Sequence, residues 1–292
     1  RLSSEHKISL LCSVLKVPRS TYYAAKNRPL SNRKLENDEY CRLIMEIWEK
    51  SKQRYGYPKI AAVLRNEGYC ISNQRVWRLM CTMGIKSVVR KKYRYTESKS
   101  DKTARENILE QNFLSAHPNK KWVTDITYIY TKTDGWAYLA SVMDLFSRKI
   151  IGWVIGRKIT AELAVTALDI ALDNRNYPEN VVVHSDMGSQ YTSTIFTTRI
   201  VQCKLRQSFS KRGCPYDNAC IESFHNTLKS EETNRHQYQT YEEVKNAVAA
   251  YISWYNTERI HGSIGNISPD EYESMYESQE CSEQTANLDR LP

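Results

Sequence analysis

The sequence predicts an α/β protein: a mixed β-sheet flanked by helices, preceded by all-α, strongly basic helix-turn-helix segments. Three observations predict it. From residue 121 onward, short runs rich in Val, Ile, Tyr and Trp alternate first with turn residues and then with helical patterns, whereas upstream the apolar residues recur at helical spacing. Charge divides at a similar place: residues 1–110 hold 24 Lys and Arg against 11 Asp and Glu, and residues 111–292 hold 18 against 22. A chain of 292 residues is also long enough for two or three folding units. With 41% hydrophobic and 26% charged residues, the composition excludes a disordered or collagenous chain. No run approaches the roughly 18 to 20 apolar residues that cross a bilayer, and the first residues lack the apolar core of a signal peptide, so an intracellular protein without membrane contact is expected. A first residue other than Met points to processing, trimming or translation within a longer product.

Residues 4–26 read as a helix, a turn at residues 16–18, and a second helix capped by Ser20 or Thr21. Residues 57–66 carry Ile60, Ala61, Val63 and Leu64 at helical spacing, and Glu67-Gly68-Tyr69 breaks the pattern. Ser72 or Asn73 then caps a helix with Val76, Leu79 and Met80 that ends at Gly84. Gln74, Arg75 and Arg78 point away from this apolar stripe, where a recognition helix presents groove-facing side chains, although paired helices also occur in proteins that never touch DNA. Residues 86–106 are polar and basic. They read as a linker that lies along phosphates through Lys91, Lys92 and Arg94, with Tyr93 and Tyr95 able to stack on bases, or as a solvated hinge. The basic excess favours nucleic acid, because neutralising phosphates releases counterions; a merely basic surface is the alternative. The eight cysteines contain no Cys-x-x-Cys pair and read as reduced, buried thiols.

Three strands follow, at residues 121–130, 136–144 and 149–156, separated by Asp134-Gly135 and Ser147-Arg148, and they form an antiparallel meander. A helix over residues 161–174 leads to a continuous apolar strand at residues 181–183 that ends in His184-Ser185-Asp186. A buried strand after a crossover helix implies parallel addition to the sheet. A helix near 192–203, a strand at 205–209, a Gly- and Pro-containing loop and a helix near 218–232 complete the unit.

Three carboxylates carry the chemistry. Asp125 lies inside the first strand, where an uncompensated charge is costly unless it binds a cation. Asp186 follows the buried strand at a carboxyl end, where open sheets collect ligands. Glu222 lies near the start of the last helix. Three hard oxygen donors without a His or Cys cluster favour Mg2+ or Mn2+ over zinc, and a pair of such ions suits phosphoryl transfer. On the helix, Ile221, Phe224 and Leu228 form the apolar stripe, while Glu222, Asn226 and Lys229 form the adjoining row; the same spacing fits a surface Glu and Lys on an ordinary amphipathic helix.

The order Asp125…Asp186…Glu222, with 35 residues between the last two and a Lys seven beyond the Glu, resembles the signature of DDE transposases and retroviral integrases. The strings KWVTDITYIYT, VVVHSDMGSQYTS, SFSKRGCPYDNACIESFHNTLKSE and AAYISWYNTERIHGSIGNISPDEYE resemble the second-frame (OrfB-type) transposases of the bacterial insertion-sequence family number three, and RYGYPKIAAVLRNEGYCISNQRVWRLMCTMGIKS resembles their helix-turn-helix segment. The likeness runs over residues 5–275. It implies an RNase H-like catalytic core that cuts DNA at the element's end and joins the freed 3′-hydroxyl to another phosphodiester. Asp125, Asp186 and Glu222 would ligate the metals, two ions in all, and Lys229 would touch DNA near the reacting phosphate. His184, Ser185, Gly188, Gln190 and Tyr191 surround the second Asp and would position it. Lys211, Arg212 and Gly213 resemble the mobile loop that clamps a strand; Asp217 and Asn218 would cap the catalytic helix, with DNA contact as a second role for Asn218.

The implied organisation is a helix-turn-helix segment over residues 1–30, a second helix-turn-helix DNA-binding domain over 31–90, a basic linker over 91–115, the core over 116–235 and a C-terminal helical region and tail over 236–292. The aromatic stripe of that last region (Tyr251, Trp254, Tyr255) is read as core packing, with base stacking as the alternative. The His/His/Cys/Cys zinc module of retroviral integrases is missing, so no zinc is expected. The expected partners are terminal-repeat and target DNA, further copies of the chain in a dimer or larger assembly on DNA, and a first-frame protein or frameshift fusion; the expected location is the bacterial cytoplasm, at the nucleoid when bound to DNA. A non-catalytic DNA-binding protein that keeps the core as scaffold, and a nuclease acting on RNA hybrids, are the rival readings.

Overall fold

A computed structural model describes residues 7–27, 31–88, 106–211 and 215–288. The chain divides into two compact units, Arg1–Lys86 and Ser87–Pro292.

The first unit contains α1 (Ile8–Val14), α2 (Arg19–Lys26), α3 (Asn32–Lys50), α4 (Tyr57–Asn66) and α5 (Asn73–Met83). Helix α2 begins directly after Pro18, earlier than Ser20 or Thr21 would place it and without a side-chain cap: a proline has its φ already fixed for helix entry. Helices α3, α4 and α5 pack around Tyr40, Leu43, Ile44, Ile60, Ala61, Leu64, Val76 and Met80. Ser72 Oγ caps α5 by accepting from the Arg75 amide at 3.2 Å, and Gly84 ends it at φ +69°, where a Cβ would be strained. Lys91, Lys92 and Arg94 lie outside the described residues. Cys70 and Cys81 are exposed rather than buried.

The second unit is built on one five-stranded sheet ordered β3-β2-β1-β4-β5, with β1 (Lys121–Thr131), β2 (Gly135–Asp144), β3 (Ile150–Gly156), β4 (Val182–Ser185) and β5 (Arg206–Phe209). The first three strands are antiparallel; β4 joins β1 in parallel and β5 joins β4 in parallel, which makes the sheet mixed. Helices α6 (Ala161–Asn174) and α7 (Thr194–Gln202) cover one face, packing Leu163, Ala167, Leu168, Phe196 and Ile200 against Trp122, Ala140, Val142 and Val183. Helices α8 (Ala219–Glu231) and α9 (Tyr241–Thr257) cover the other, with Phe224, Leu228, Val248 and Tyr251 against Val123, Leu139 and Met143. Burial on both faces explains why these strands read as apolar runs instead of alternating with polar residues.

Two departures from the sequence reading concern this unit. The final helix α10 (Pro269–Leu288), for which the sequence reading set no bounds within the helical region expected over 236–292, is anchored by Glu273, which accepts from Ser147 Oγ at 2.6 Å and from Arg175 at 2.5 Å. Residues 106–115, placed in the linker by a boundary set near residue 115, pack on the sheet: Leu109 is buried, and Ser208 Oγ accepts from the amides of Ile108 and Leu109 at 3.0 and 3.2 Å. Among the described residues, no helix is long and apolar enough to cross a membrane.

Candidate active site

Strand register brings the first two carboxylates together. Val123 of β1 pairs with His184 of β4 in parallel. Asp125 and Asp186 each follow that pair by two residues, so alternation directs both to the same side of the sheet, Asp125 from within β1 and Asp186 from just past the end of β4. Beyond Val123, β1 pairs with no further β4 residue, which leaves its edge open beside α8. The buried stripe Ile221, Phe224, Leu228 fixes the rotation of α8 on the sheet and turns Glu222, in its first turn, towards this edge.

The three carboxylates feel one another. Desolvation, and then the Asp125 charge, raises the Asp186 pKa against the lowering effect of the Gly188 amide. Desolvation followed by the charges of Asp125 and Asp186 raises that of Glu222. Local donors hold two of them. Asp186 Oδ1 accepts from the Gly188 amide at 2.9 Å, and a Cβ at Gly188 would fall 2.9 Å from the same oxygen, so the bare glycine is what lets the carboxylate rest on its backbone. Asp125 Oδ1 accepts from the Ile126 amide at 2.8 Å, and its Oδ2 lies 3.3 Å from His225 Nδ1.

His225 was missed in the sequence, although its place one turn after Glu222 was the available signal. It is buried; its Nε2 lies 2.8 Å from Oγ of Ser141, the cross-strand partner of Asp125. Protonated on Nδ1, the ring donates towards Asp125 and accepts from Ser141.

Lys229 is half-buried two turns along α8, with its Nζ 4.5 Å from the centre of the Tyr128 ring. Desolvation lowers its pKa, and the Asp125 charge acts in the opposite sense. Among the described residues, no three His, Cys, Asp or Glu side chains are grouped closely enough to hold one metal ion. The triad expected to share ions is therefore assembled only to electrostatic range. Asp125 and Asp186 turn instead to their local donors, the Ile126 amide and His225 for one and the Gly188 amide for the other. The donor set still fits a hard divalent cation: the oxygens are carboxylates whose mutual repulsion such an ion would relieve.

The chain matches the family models described as "Integrase core domain" over residues 115–215 and 203–269, and "HTH-like domain" over residues 35–93. It is 37% identical to the Transposase InsF for insertion sequence IS3A of Escherichia coli (strain K12), over 93% of this chain and 95% of that one. The chain belongs to the IS3 family of transposases. A transposase for insertion sequence element IS904 of Lactococcus lactis is 36% identical over 85% of this chain and 98% of its own. Among solved structures, the HTLV-2 integrase catalytic core domain in complex with magnesium is 17% identical, covering 53% of this chain and 95% of that one at a TM-score of 0.40. As an IS3-family member the chain is a DNA transposase, a polynucleotidyl transferase whose integrase core spans all three carboxylates.

The other residues singled out in this transposase take varied places. His184 is fully buried between Ser208 Oγ at 2.8 Å and Ser210 Oγ at 3.0 Å, and burial lowers its pKa to about 4, so it is a neutral bridge from β4 to β5. Tyr191 is buried, its hydroxyl 3.2 Å from Thr124 Oγ1 beside Asp125. The Gln190 carbonyl accepts from Ser193 Oγ at 2.7 Å at the entry to α7.

Asp217 caps nothing: it is buried and accepts from Asn107 at 2.9 Å, Gln111 at 2.7 Å and the Lys211 amide at 2.8 Å. Asn218 departs from the capping role expected of it. It makes no cap hydrogen bond and is buried, with its Nδ2 donating to the Thr124 carbonyl at 3.2 Å. A residue at φ −118°, ψ 24° after a 3-10 turn lacks the extended geometry a cap needs. The Lys211 side chain is exposed; Arg212 lies outside the described residues.

On α5, Gln74 and Arg78 are exposed, but Arg75 is committed to α3. Its guanidinium donates to Glu36 at 2.8 Å and Asn37 at 2.8 Å and stands 4.8 Å over the Tyr40 ring.

Proposed function

We propose that Asp125, Asp186 and Glu222 are the catalytic carboxylates with which this transposase cuts its element's terminal repeats and joins the freed 3′-hydroxyl to target DNA. The observation that carries the reading is the strand register that puts Asp125 and Asp186 on one side of the sheet, with Glu222 turned towards the same edge of β1; burial first, and then the charge of neighbouring carboxylates, raises the pKa of Asp186 and of Glu222 there. Mg2+ or Mn2+, two ions by the chemistry of the donor set, would be held by these three residues and would supply the positive charge that phosphoryl transfer needs on its attacking and leaving oxygens.

The chain's own residues do the rest. The Gly188 amide and His225 orient the carboxylates of Asp186 and Asp125. Lys229 holds a phosphate of the DNA end beside Asp125, and Lys211 meets the backbone of a strand. Gln74 and Arg78 read the terminal repeat from the exposed side of α5, Arg75 stiffens that helix from behind, and Lys91, Lys92, Arg94 and Arg212 add phosphate contacts. Two copies of the chain hold the two ends of one element, and the work is done on DNA in the bacterial cytoplasm.

Asp186→Asn tests the assignment. With a terminal-repeat duplex and Mg2+, the variant is expected to lose end joining while its retention of the duplex on a filter stays at the wild-type level. Joining at the wild-type rate would falsify the assignment.

A further inference from the structure

Tyr128 and Tyr130 on β1 and Trp136 on β2 are large rings left 56%, 57% and 49% exposed, on the same alternating face that buries Trp122 and Thr124 further back along β1. Register explains the cluster. Tyr130 pairs directly with Trp136 across the hairpin, and Tyr128 is two residues back on the same face. Trp136 meets both tyrosines edge-to-face, with ring centres 5.1 Å apart in each case and planes at 87° and 68°, and each ring keeps about half of its surface free for a further flat partner.

The rings line a groove of about 510 Å³ whose other walls include Lys132, Lys229 and His236. Its aromatic floor and cationic rim suit a flat aromatic ligand carrying negative charge. An apolar face of a second copy would have to desolvate both lysines. Lys229 links the groove to the carboxylates, since it stands over Tyr128 and shares α8 with Glu222.

We propose that Tyr128, Tyr130 and Trp136 form a stacking platform for an unpaired nucleobase at the DNA end, with Lys229 and Lys132 holding the adjoining phosphates. This deepens the proposed function and rests on it for the identity of the DNA. Stacking is indifferent to base identity, because every base has a π-face, so the platform grips a frayed or overhanging strand of any sequence and holds it beside the carboxylates.

The test uses the full chain, without divalent ions, and two duplexes. One is blunt; the other ends in a three-nucleotide overhang containing 2-aminopurine. Wild-type protein is expected to quench the 2-aminopurine and to prefer the overhang. Trp136→Ala should abolish the quench and weaken overhang binding about tenfold while leaving blunt binding unchanged, and Trp136→Phe should restore both. Quenching and overhang preference that persist in a Trp136→Ala, Tyr130→Ala double variant overturn the proposal. So does a loss that merely follows a fall in the mass of the protein–DNA complex, which would make the face a self-association surface. Asp186→Asn should quench as wild type does. If that holds while Asp186→Asn still joins ends, the catalytic assignment fails and the platform stands.

Discussion

His225 lies one turn beyond Glu222 on α8 and reaches both members of the Asp125–Ser141 cross-strand pair. A residue that orients a metal-ligating carboxylate without touching substrate typically changes activity by about 10- to 100-fold when removed. His225→Ala is therefore expected to slow single-turnover joining by about that factor with DNA affinity unchanged. His225→Asn, which keeps a donor, should recover part of the loss; equal rates for wild type and His225→Ala would remove the positioning role. The acidic residues were legible in the sequence because a carboxylate inside an apolar strand or directly after one demands an explanation. His225 was not, because a histidine beside an apolar helical stripe reads as packing. Asn218 misled for a local reason: the residue before a helix reads as its cap, but here a 3-10 turn delivers it in the wrong backbone geometry and its amide is used on the Thr124 carbonyl. Arg75 misled because Glu36 and Asn37, which claim it, lie on a helix that the sequence pattern did not reveal.

Elements were legible where they are buried and hidden where they are polar. Strands β1 to β4 and helices α6 to α8 carry apolar patterns, whereas in β5 Phe209 is the one apolar residue. Helices α3 and α10 are rich in charged and polar residues, and a helix that buries only a narrow stripe leaves a weak periodic signal. The contact of α6 with β3 depends on one missing side chain. A Cβ at Gly152 would lie 2.3 Å from the Ala167 carbonyl oxygen and 2.6 Å from the Ala171 nitrogen, both backbone atoms of α6 that cannot swing aside. Gly152→Ala is expected to destabilise the second unit by about 3 kcal/mol, the upper part of the usual overpacking range, measured by urea unfolding. Helix α10 is held by charge. Burial alone would raise the Glu273 pKa, but the hydrogen bond and charge of Arg175, with help from Ser147 and Lys149, bring it below the ordinary Glu value. A carboxyl depressed in the folded state stabilises above its unfolded pKa, and that stability is lost as pH falls through the folded one. Glu273→Gln should therefore cost stability at pH 7 and progressively less below about pH 4.5, the ordinary Glu range, with the two proteins converging in acid urea titrations. A constant difference across that range would exclude ionic anchoring of α10.

Charge and core are placed in different parts of the molecule, which separates how it holds DNA from how it stays folded. The net of +13 lies in residues 1–110, whereas residues 111–292 carry a net −4 yet hold the five-stranded sheet and both of its core layers. In that acidic part, the end of α8 is tied to the chain after α9 by an ion pair sunk in the core. Arg259 donates to Glu231 at 2.8 and 3.0 Å, Tyr251 adds its hydroxyl at 2.8 Å, and the side chains of Arg259 and Glu231 are only 11% and 4% exposed. Burial would lower the Arg259 pKa, but the hydrogen bonds and charge of Glu231 outweigh it and the guanidinium is held charged. Arg259→Met removes the cation and leaves the Glu231 carboxylate buried without it, a change that costs about 3–5 kcal/mol where a buried pair is broken from one side. The loss should appear in the urea transition of the second unit. The slope of DNA affinity against salt counts phosphates neutralised, and the charge that sets it lies mostly upstream, so that slope should not move. A shallower slope in Arg259→Met, at a temperature where the second unit remains folded, would mean that Arg259 itself neutralises a phosphate, beyond the contacts proposed for Lys132, Lys211, Arg212 and Lys229.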